Sequence, residues 1–364
     1  MSPSFGLLDL PDSVGGDVMM NTTSTTQQTT LTSAAAAADD DLSDLTNLVM
    51  ETIELVINCF LIHIIAGIGS ACNIITVIVL VKTRGSDSNT TILLSLALCD
   101  LAFLLTLTVR KMDCIIARFD PVAGLNHQAY MTAYVIVTSR LVMFISSGHI
   151  IVIAVERFVA VIFPFKAKIL FSRRRVMIML LSLYVVMAAT ATPYLGYSGV
   201  VWSFNPAFNT TVSSVQFARY YLEMYEGLTN FNILVMGILR GPVSFTAVIA
   251  CCAVIVHRLR QVSKQRETMS SSSSQQQVNV KVTRMLLALC AVYVITNLAT
   301  VSLAVYTFVT SSNLLGPTLY FMVNMEEMLF ALNSSANFFI YIFMSSKFYK
   351  TCRSLFCVSA QPET

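Results

Sequence analysis

Polar side chains interrupt several otherwise apolar stretches of the sequence. Asp100 lies in the middle of LSLALCDLAFLL with no other charge in that segment. Asn73 lies within SACNIITVIVL, Ser146 and Ser147 in a third stretch, and Asn333, Ser334 and Asn337 in the last. A carboxylate surrounded by hydroxyl and amide oxygens suits a small hard cation such as Na⁺. The competing reading is a hydrated polar network that only holds helices together, and the spacing leaves both open. Glu156-Arg157 closes the third stretch in IVIAVERFVAVIFPF. A terminal arginine there can snorkel to the interface, but the adjacent acid points to a switchable ion pair. Arg140 lies 17 residues earlier, roughly 25 Å away along a helix. Arg240, Glu326 and Glu327 are further charges within apolar segments. Buried charges of both signs must pair with each other or contact a charged ligand. These residues are therefore ligand-pocket candidates, and pairing of Arg140 with Glu327 is the alternative. Arg110 and Lys111 are expected to snorkel outward. The sequence shows no P-loop, zinc-ligand spacing, nucleophile elbow or dinucleotide fingerprint. His63, His127, His149 and His257 are scattered. No enzyme, catalytic residue or cofactor is expected, apart from the Na⁺ reading.

The elements that position these residues follow from composition. Of 364 residues, 55% are hydrophobic and 12% charged, where a soluble domain carries about 25% charged. That excludes a soluble enzyme, a disordered chain and a coiled coil. A net charge of +3 offers no nucleic-acid surface, and nine cysteines are too few for a disulfide scaffold. Seven stretches are long enough to cross a bilayer as helices: residues 55–81, 91–109, 130–161, 176–195, 231–256, 285–308 and 319–344. A β-barrel would alternate in segments of about ten residues, and no internal repeat suggests a transporter. The fold class is therefore all-α, a seven-transmembrane-helix bundle.

The connections after spans one, three and five carry the basic residues, as does the C-terminal end, while the first 54 residues hold nine acids and no Lys or Arg. The positive-inside rule places the N-terminus outside the cell. Residues 1–52 read as a disordered acidic tail, 53–345 as the transmembrane domain, and 346–364 as an amphipathic eighth helix with a cytosolic tail. MSPSFGLLDL does not resemble a cleavable signal, so the first helix is expected to direct insertion. Asn21 and Asn209 are glycosylation candidates. Asn89-Thr-Thr and Asn333-Ser-Ser fall on the cytosolic side and inside the membrane, and read as chance matches.

With these residues in order, the chain resembles the rhodopsin-like G-protein-coupled receptors from about Leu55 to Phe356. Asn73 stands at the family's first-helix Asn, and Leu96-Ala-Leu-Cys-Asp100 matches its L-x-x-x-D. Glu156-Arg157-Phe158 stands where the family has D/E-R-Y, with Pro164-Phe165 following. Pro193 and Pro242 match the fourth- and fifth-helix prolines, and Asn337-Phe-Phe-Ile-Tyr341 stands for N-P-x-x-Y. Among subfamilies, ERFVAVIFPFKAK, VTRMLLAL and LNSSANFFIYIFMSSKF look most like invertebrate FMRFamide-type neuropeptide receptors. The resemblance implies a multi-pass plasma-membrane receptor for an extracellular ligand, with a peptide favoured. It implies a heterotrimeric G protein as partner, with arrestin and a receptor kinase as further partners. It assigns Asp100, Ser146, Asn333, Ser334 and Asn337 to an allosteric sodium pocket. It gives Arg157 the coupling role with Glu156 as its resting partner, Tyr341 a switch role, and Phe165 an insertion into the G protein.

Three departures alter these expectations. The family's third-helix cysteine falls at about Thr132 and the second extracellular loop has no cysteine. Its usual disulfide is absent, the loop at 196–229 is expected to be less constrained, and Cys59 with Cys114 is a candidate replacement bridge. The sixth helix reads Ala291-Val-Tyr-Val-Ile-Thr-Asn-Leu-Ala299, with Asn297, a further ligand-pocket candidate, at the family's Trp and Ala299 at its proline. A helix without that proline is expected to lack the kink. Its start, Val278-Asn-Val-Lys281, lacks the acid that often locks the third-helix Arg. On the cytosolic face, Ser270 to Ser274 form a phosphorylatable stretch. Phe348, Cys352 and Leu355 share one face of an interfacial helix, and Cys352 and Cys357 are palmitoylation candidates. Two rival readings are a divergent non-signalling partner or decoy, and a small ion channel or transporter.

Overall fold

The computed structural model describes residues 48–49, 52–53, 55–83, 88–232, 234, 241–267, 274–310 and 317–356. The chain divides into two units, Met1–Thr52 and Ile53–Thr364. In the first, only 48, 49 and 52 are described, and the Thr52 hydroxyl donates to the Leu48 carbonyl at 2.8 Å. Residues 1–47 with Asn21, Arg240, Cys357 and Ser270 to Ser273 lie outside the described residues.

Among the described residues, seven helices are long and apolar enough to cross a membrane: Val56–Lys82, Ser88–Phe119, Pro121–Ile162, Arg173–Tyr194, Gly241–Gln261, Val280–Ala299 and Phe321–Met344. They correspond in number and order to the predicted spans. The second and third are longer than predicted, because short helices Asp113–Phe119 and Pro121–Tyr130 continue them outward. Asp120 makes the turn between these helices. Its Oδ1 accepts from the backbone N–H groups of Val122 and Ala123 at 2.9 and 3.0 Å, and Pro121 occupies the first helical turn. The sixth span belongs to one uninterrupted helix, Ser274–Thr310, which passes through Ala299. Nothing there removes a backbone hydrogen bond as proline would.

The bundle packs two apolar clusters, one toward each end. The outer cluster joins Ile62, Phe103, Leu104, Met143 and Phe330, and Phe103 meets Phe330 edge-on at 4.9 Å. The cytosolic cluster joins Val79, Leu96, Ile153, Leu286 and Tyr341. In lipid, close approach of small residues matters more than apolar burial as such. Gly69 shows this: a Cβ there would lie 2.1 Å from the Ser335 hydroxyl and 2.8 Å from Leu104. Large exposed side chains such as Ile64, Ile78 and Leu181 cover the outer faces of the helices.

One feature departs from the all-helical expectation. Between spans four and five, β1 (Ser198–Asn205) pairs antiparallel with β2 (Thr210–Phe217), in register from Ser198↔Phe217 to Asn205↔Thr210. Asn209 turns the tip at φ 48°, a left-handed conformation that asparagine tolerates. The Asn205 side chain accepts from the Ala207 N–H at 2.9 Å. Asn126, on the outward extension of span three, accepts from both the N–H and the hydroxyl of Ser213 at 2.8 and 2.9 Å. Phe217 stacks on Tyr221 at 5.3 Å. The expectation of a loosely constrained loop is therefore corrected: pairing, the Asn126 anchor and aromatic packing replace a disulfide. The bridge itself lies elsewhere. Cys59 and Cys114 are disulfide-bonded with Cα atoms 5.5 Å apart, joining the outer ends of spans one and two.

After span seven, the helix Ser346–Phe356 buries Phe348 and Cys352 and exposes Lys347, Tyr349, Lys350 and Arg353. The Phe348 ring lies 5.6 Å from that of Tyr341.

Candidate functional site

The central polar residues converge between the two apolar clusters. Asp100 is fully buried and receives three hydrogen bonds. Ser146 and Ser334 hydroxyls donate to Oδ1 at 2.6 and 3.0 Å, and the Asn337 amide donates to Oδ2 at 2.7 Å. Spans two, three and seven therefore meet at one carboxylate. Among the described residues no basic side chain pairs with it, so neutral donors alone compensate the charge. Asn73 donates to the carbonyls of Gly69 and Ser334 at 2.9 and 3.0 Å, tying span one to span seven. Asn333 is buried, and its Oδ1 has no hydrogen-bond partner among the described residues. A carboxylate and two hydroxyls that can rotate form a donor set that fits a small hard cation, and Asn333, next to Ser334 in the chain, has a carbonyl oxygen with spare acceptor capacity.

At the cytosolic end Glu156 and Arg157 are buried to 4% and 8% exposure. Arg157 Nη2 donates to Glu156 Oε1 at 2.6 Å, and the same nitrogen donates to Asn89 Oδ1. Among the described residues, Arg157 Nε and Glu156 Oε2 have no hydrogen-bond partner, and the buried Tyr341 hydroxyl has none either. Phe165 stands at the opposite extreme, 88% exposed on the short helix Pro164–Leu170. Asn89 was missed as a site residue because its Asn-Thr-Thr context reads as a chance sequon. Its place as a polar side chain at the cytosolic start of span two was the available signal.

The outer end holds a second cluster of charges. Arg140 reaches Glu326 at 3.1 Å and Glu327 at 3.0 Å. Arg110 pairs with Glu327, and Lys111 lies 3.5 Å from Glu327 and donates to Asn324 Oδ1 at 2.5 Å. The expectation that Arg110 and Lys111 snorkel outward is corrected: Glu327, 1% exposed, draws both inward, and the Lys111 side chain is only 6% exposed. Pairing gains more than hydration here, because an uncompensated buried carboxylate is costly. Asn324 was also missed, although its spacing of three from Glu327 puts both on one helix face.

The remaining candidates do not join these clusters. The Asn297 amide donates to the Tyr293 carbonyl of its own helix at 2.9 Å. Asn209 is exposed at the hairpin tip, as a glycan acceptor requires. Cys352 packs against the bundle at 5% exposure, and burial raises its thiol pKa. The palmitoylation candidate Cys352 therefore lies on the buried face of its helix. His149 is a satisfied structural residue: Nδ1 donates to the Ile145 carbonyl at 2.8 Å, and Nε2 accepts from Ser95 at 2.8 Å.

This geometry agrees with comparison to known proteins. The model of the 7 transmembrane receptor (rhodopsin family) matches residues 72–341, which include Asn73, Asp100, Arg157 and Tyr341. No curated protein matches the chain. The matched region covers most of the chain and holds the central and cytosolic clusters. The chain is a multi-pass plasma-membrane protein that belongs to the rhodopsin family of seven-transmembrane receptors.

Proposed function

We propose that this receptor binds an extracellular peptide and activates a heterotrimeric G protein through Arg157. The observation that carries the proposal is the buried Glu156–Arg157 pair at the cytosolic end. A guanidinium held under the surface by one carboxylate has a second use when released. Tyr341 nearby has a hydroxyl without a protein partner, and buried polar groups are normally satisfied. A rearranged bundle that gives both groups new partners supports a switch between two arrangements. Phe165, exposed beside this end, supplies an apolar contact for the partner's surface.

Asp100, Ser146, Asn333 and Ser334 would hold Na⁺, with Asn337 orienting the carboxylate. The cation would supply charge compensation that favours the resting bundle. At the outer end, Arg140, Glu326 and Glu327 present both signs of charge to a ligand, with Arg240 as a further candidate. The FMRFamide-type resemblance favours an amidated peptide. Arrestin and a receptor kinase are the expected further partners, acting on the exposed cytosolic segments. Family membership sets aside the channel and transporter reading. One observation favours the non-signalling alternative: the outer charges are already paired with one another.

The test is G-protein activation in cells expressing the receptor, challenged with a panel of amidated neuropeptides. A response that disappears in Arg157→Ala at matched surface expression supports the proposal. Silence of both chains toward the panel, in the basal state as well, favours the non-signalling alternative.

A further inference from the structure

We infer that Asn89 is a positioning residue that holds Arg157 in its resting place by tying span three to span two. The inference rests on the signalling reading of Arg157 and adds the residue that restrains it.

Glu156 and Arg157 are neighbours on one helix, so their bond cannot join two helices. Among the described residues, the bond from Arg157 Nη2 to Asn89 Oδ1 is the link that carries the guanidinium to another span. Asn89 sits in the first turn of the helix Ser88–Arg110, at the level of Arg157 on the cytosolic side. The two acceptors use different hydrogens of the same nitrogen. One keeps the guanidinium against its own helix, and the other sets the direction in which it points. The start of the sixth helix, Val278-Asn-Val-Lys281, carries no acid to do this. The restraint therefore falls between spans two and three, where a neutral amide replaces a charge. A neutral acceptor holds a cation less firmly than a carboxylate. That suits a restraint that must release without breaking a second ion pair.

The test compares Asn89→Ala and Asn89→Asp in the full-length receptor. Both remove the Asn-Thr-Thr sequon, so loss of a glycan would move them together. Losing a hydrogen bond to a charged group shifts a two-state equilibrium by about tenfold. Asn89→Ala should therefore raise ligand-free G-protein activation by about that factor, and Asn89→Asp should lower it below the parent. A second measurement needs no G protein: melting of the purified receptor as Asn89→Ala, Arg157→Ala and the double variant. The double variant should melt higher than the sum of the single shifts predicts, because each single change removes the same bond. Strictly additive melting shifts, or equal basal activation in the Ala and Asp variants of a signalling receptor, overturn the inference. Coupled melting with no activation by any variant upholds the Asn89 restraint and counts against the signalling reading alone.

Discussion

Glu327→Gln offers a sharp energetic test of the outer cluster. Glu327 is 1% exposed and compensates Arg110, Lys111 and Arg140 together. Glutamine keeps the size and removes the charge. Arg140 retains Glu326, but Arg110 and Lys111 lose the carboxylate they share. Removing one member of a buried ion pair costs about 3–5 kcal/mol, because the partner charge stays buried. For a domain of this size each kcal/mol moves the melting temperature by roughly 2–4 °C, so a fall of about 6–20 °C is expected. Glu326→Gln is the control. Glu326 is 21% exposed and reaches only Arg140, which still holds Glu327. Its loss should cost less than about 1 kcal/mol. Melting of the detergent-purified receptor can be followed by dye labelling of its buried free thiols, Cys72, Cys99 and Cys290. If Glu327→Gln melts within 2 °C of the parent (roughly 1 kcal/mol or less), or Glu326→Gln falls as far, the cluster is not the clamp described.

Three further outcomes follow from the other sites. Asp100→Asn keeps the shape of the central site but removes its charge, so ligand-free activation should become equal in NaCl and choline chloride, whereas the parent should be less active in NaCl. Tyr341→Phe deletes a buried hydroxyl without a protein partner, a group that costs about 1–3 kcal/mol when unsatisfied. Its melting temperature should hold or rise while G-protein activation falls, a combination that ordinary destabilisation does not produce. Cys59→Ser opens a bridge between residues 55 apart and should cost about 3–4 kcal/mol, read as a lower melting temperature that reductant does not lower further.

Much of this arrangement was legible in the sequence, for a physical reason. A bilayer requires every crossing backbone group to be satisfied locally, so seven apolar stretches specify seven helices. The same penalty makes polar residues informative, and Asp100, Ser146, Ser334 and Asn337 converge as their isolation in apolar segments suggested. What stayed hidden depended on partners far along the chain. Lys111 sits at a helix end where snorkelling is the normal fate, and only the distant Glu327 turns it inward. Asn89 looked like a chance sequon until Arg157 lay beside it. The hairpin at 198–217 lies in a loop that lacks the family's cysteine, and its strands carry too few apolar residues to stand out beside the spans. Alternation in Val200, Trp202 and Phe204, with Val200 across from Val215 and asparagines at both ends of the tip, was a readable strand signal. Cys352 shares its helix face with Phe348, and both pack into the cytosolic cluster with Tyr341.

The central claim is that Arg157, held at rest by Glu156, carries the signal to a G protein. The most direct measurement is nucleotide exchange on a panel of purified heterotrimeric G proteins, catalysed by the receptor in lipid nanodiscs, with Arg157→Ala beside it. Exchange above the receptor-free rate is expected on at least one G protein, with its loss in an Arg157→Ala receptor that remains folded at the assay temperature. Exchange that persists undiminished in a folded Arg157→Ala receptor would contradict it.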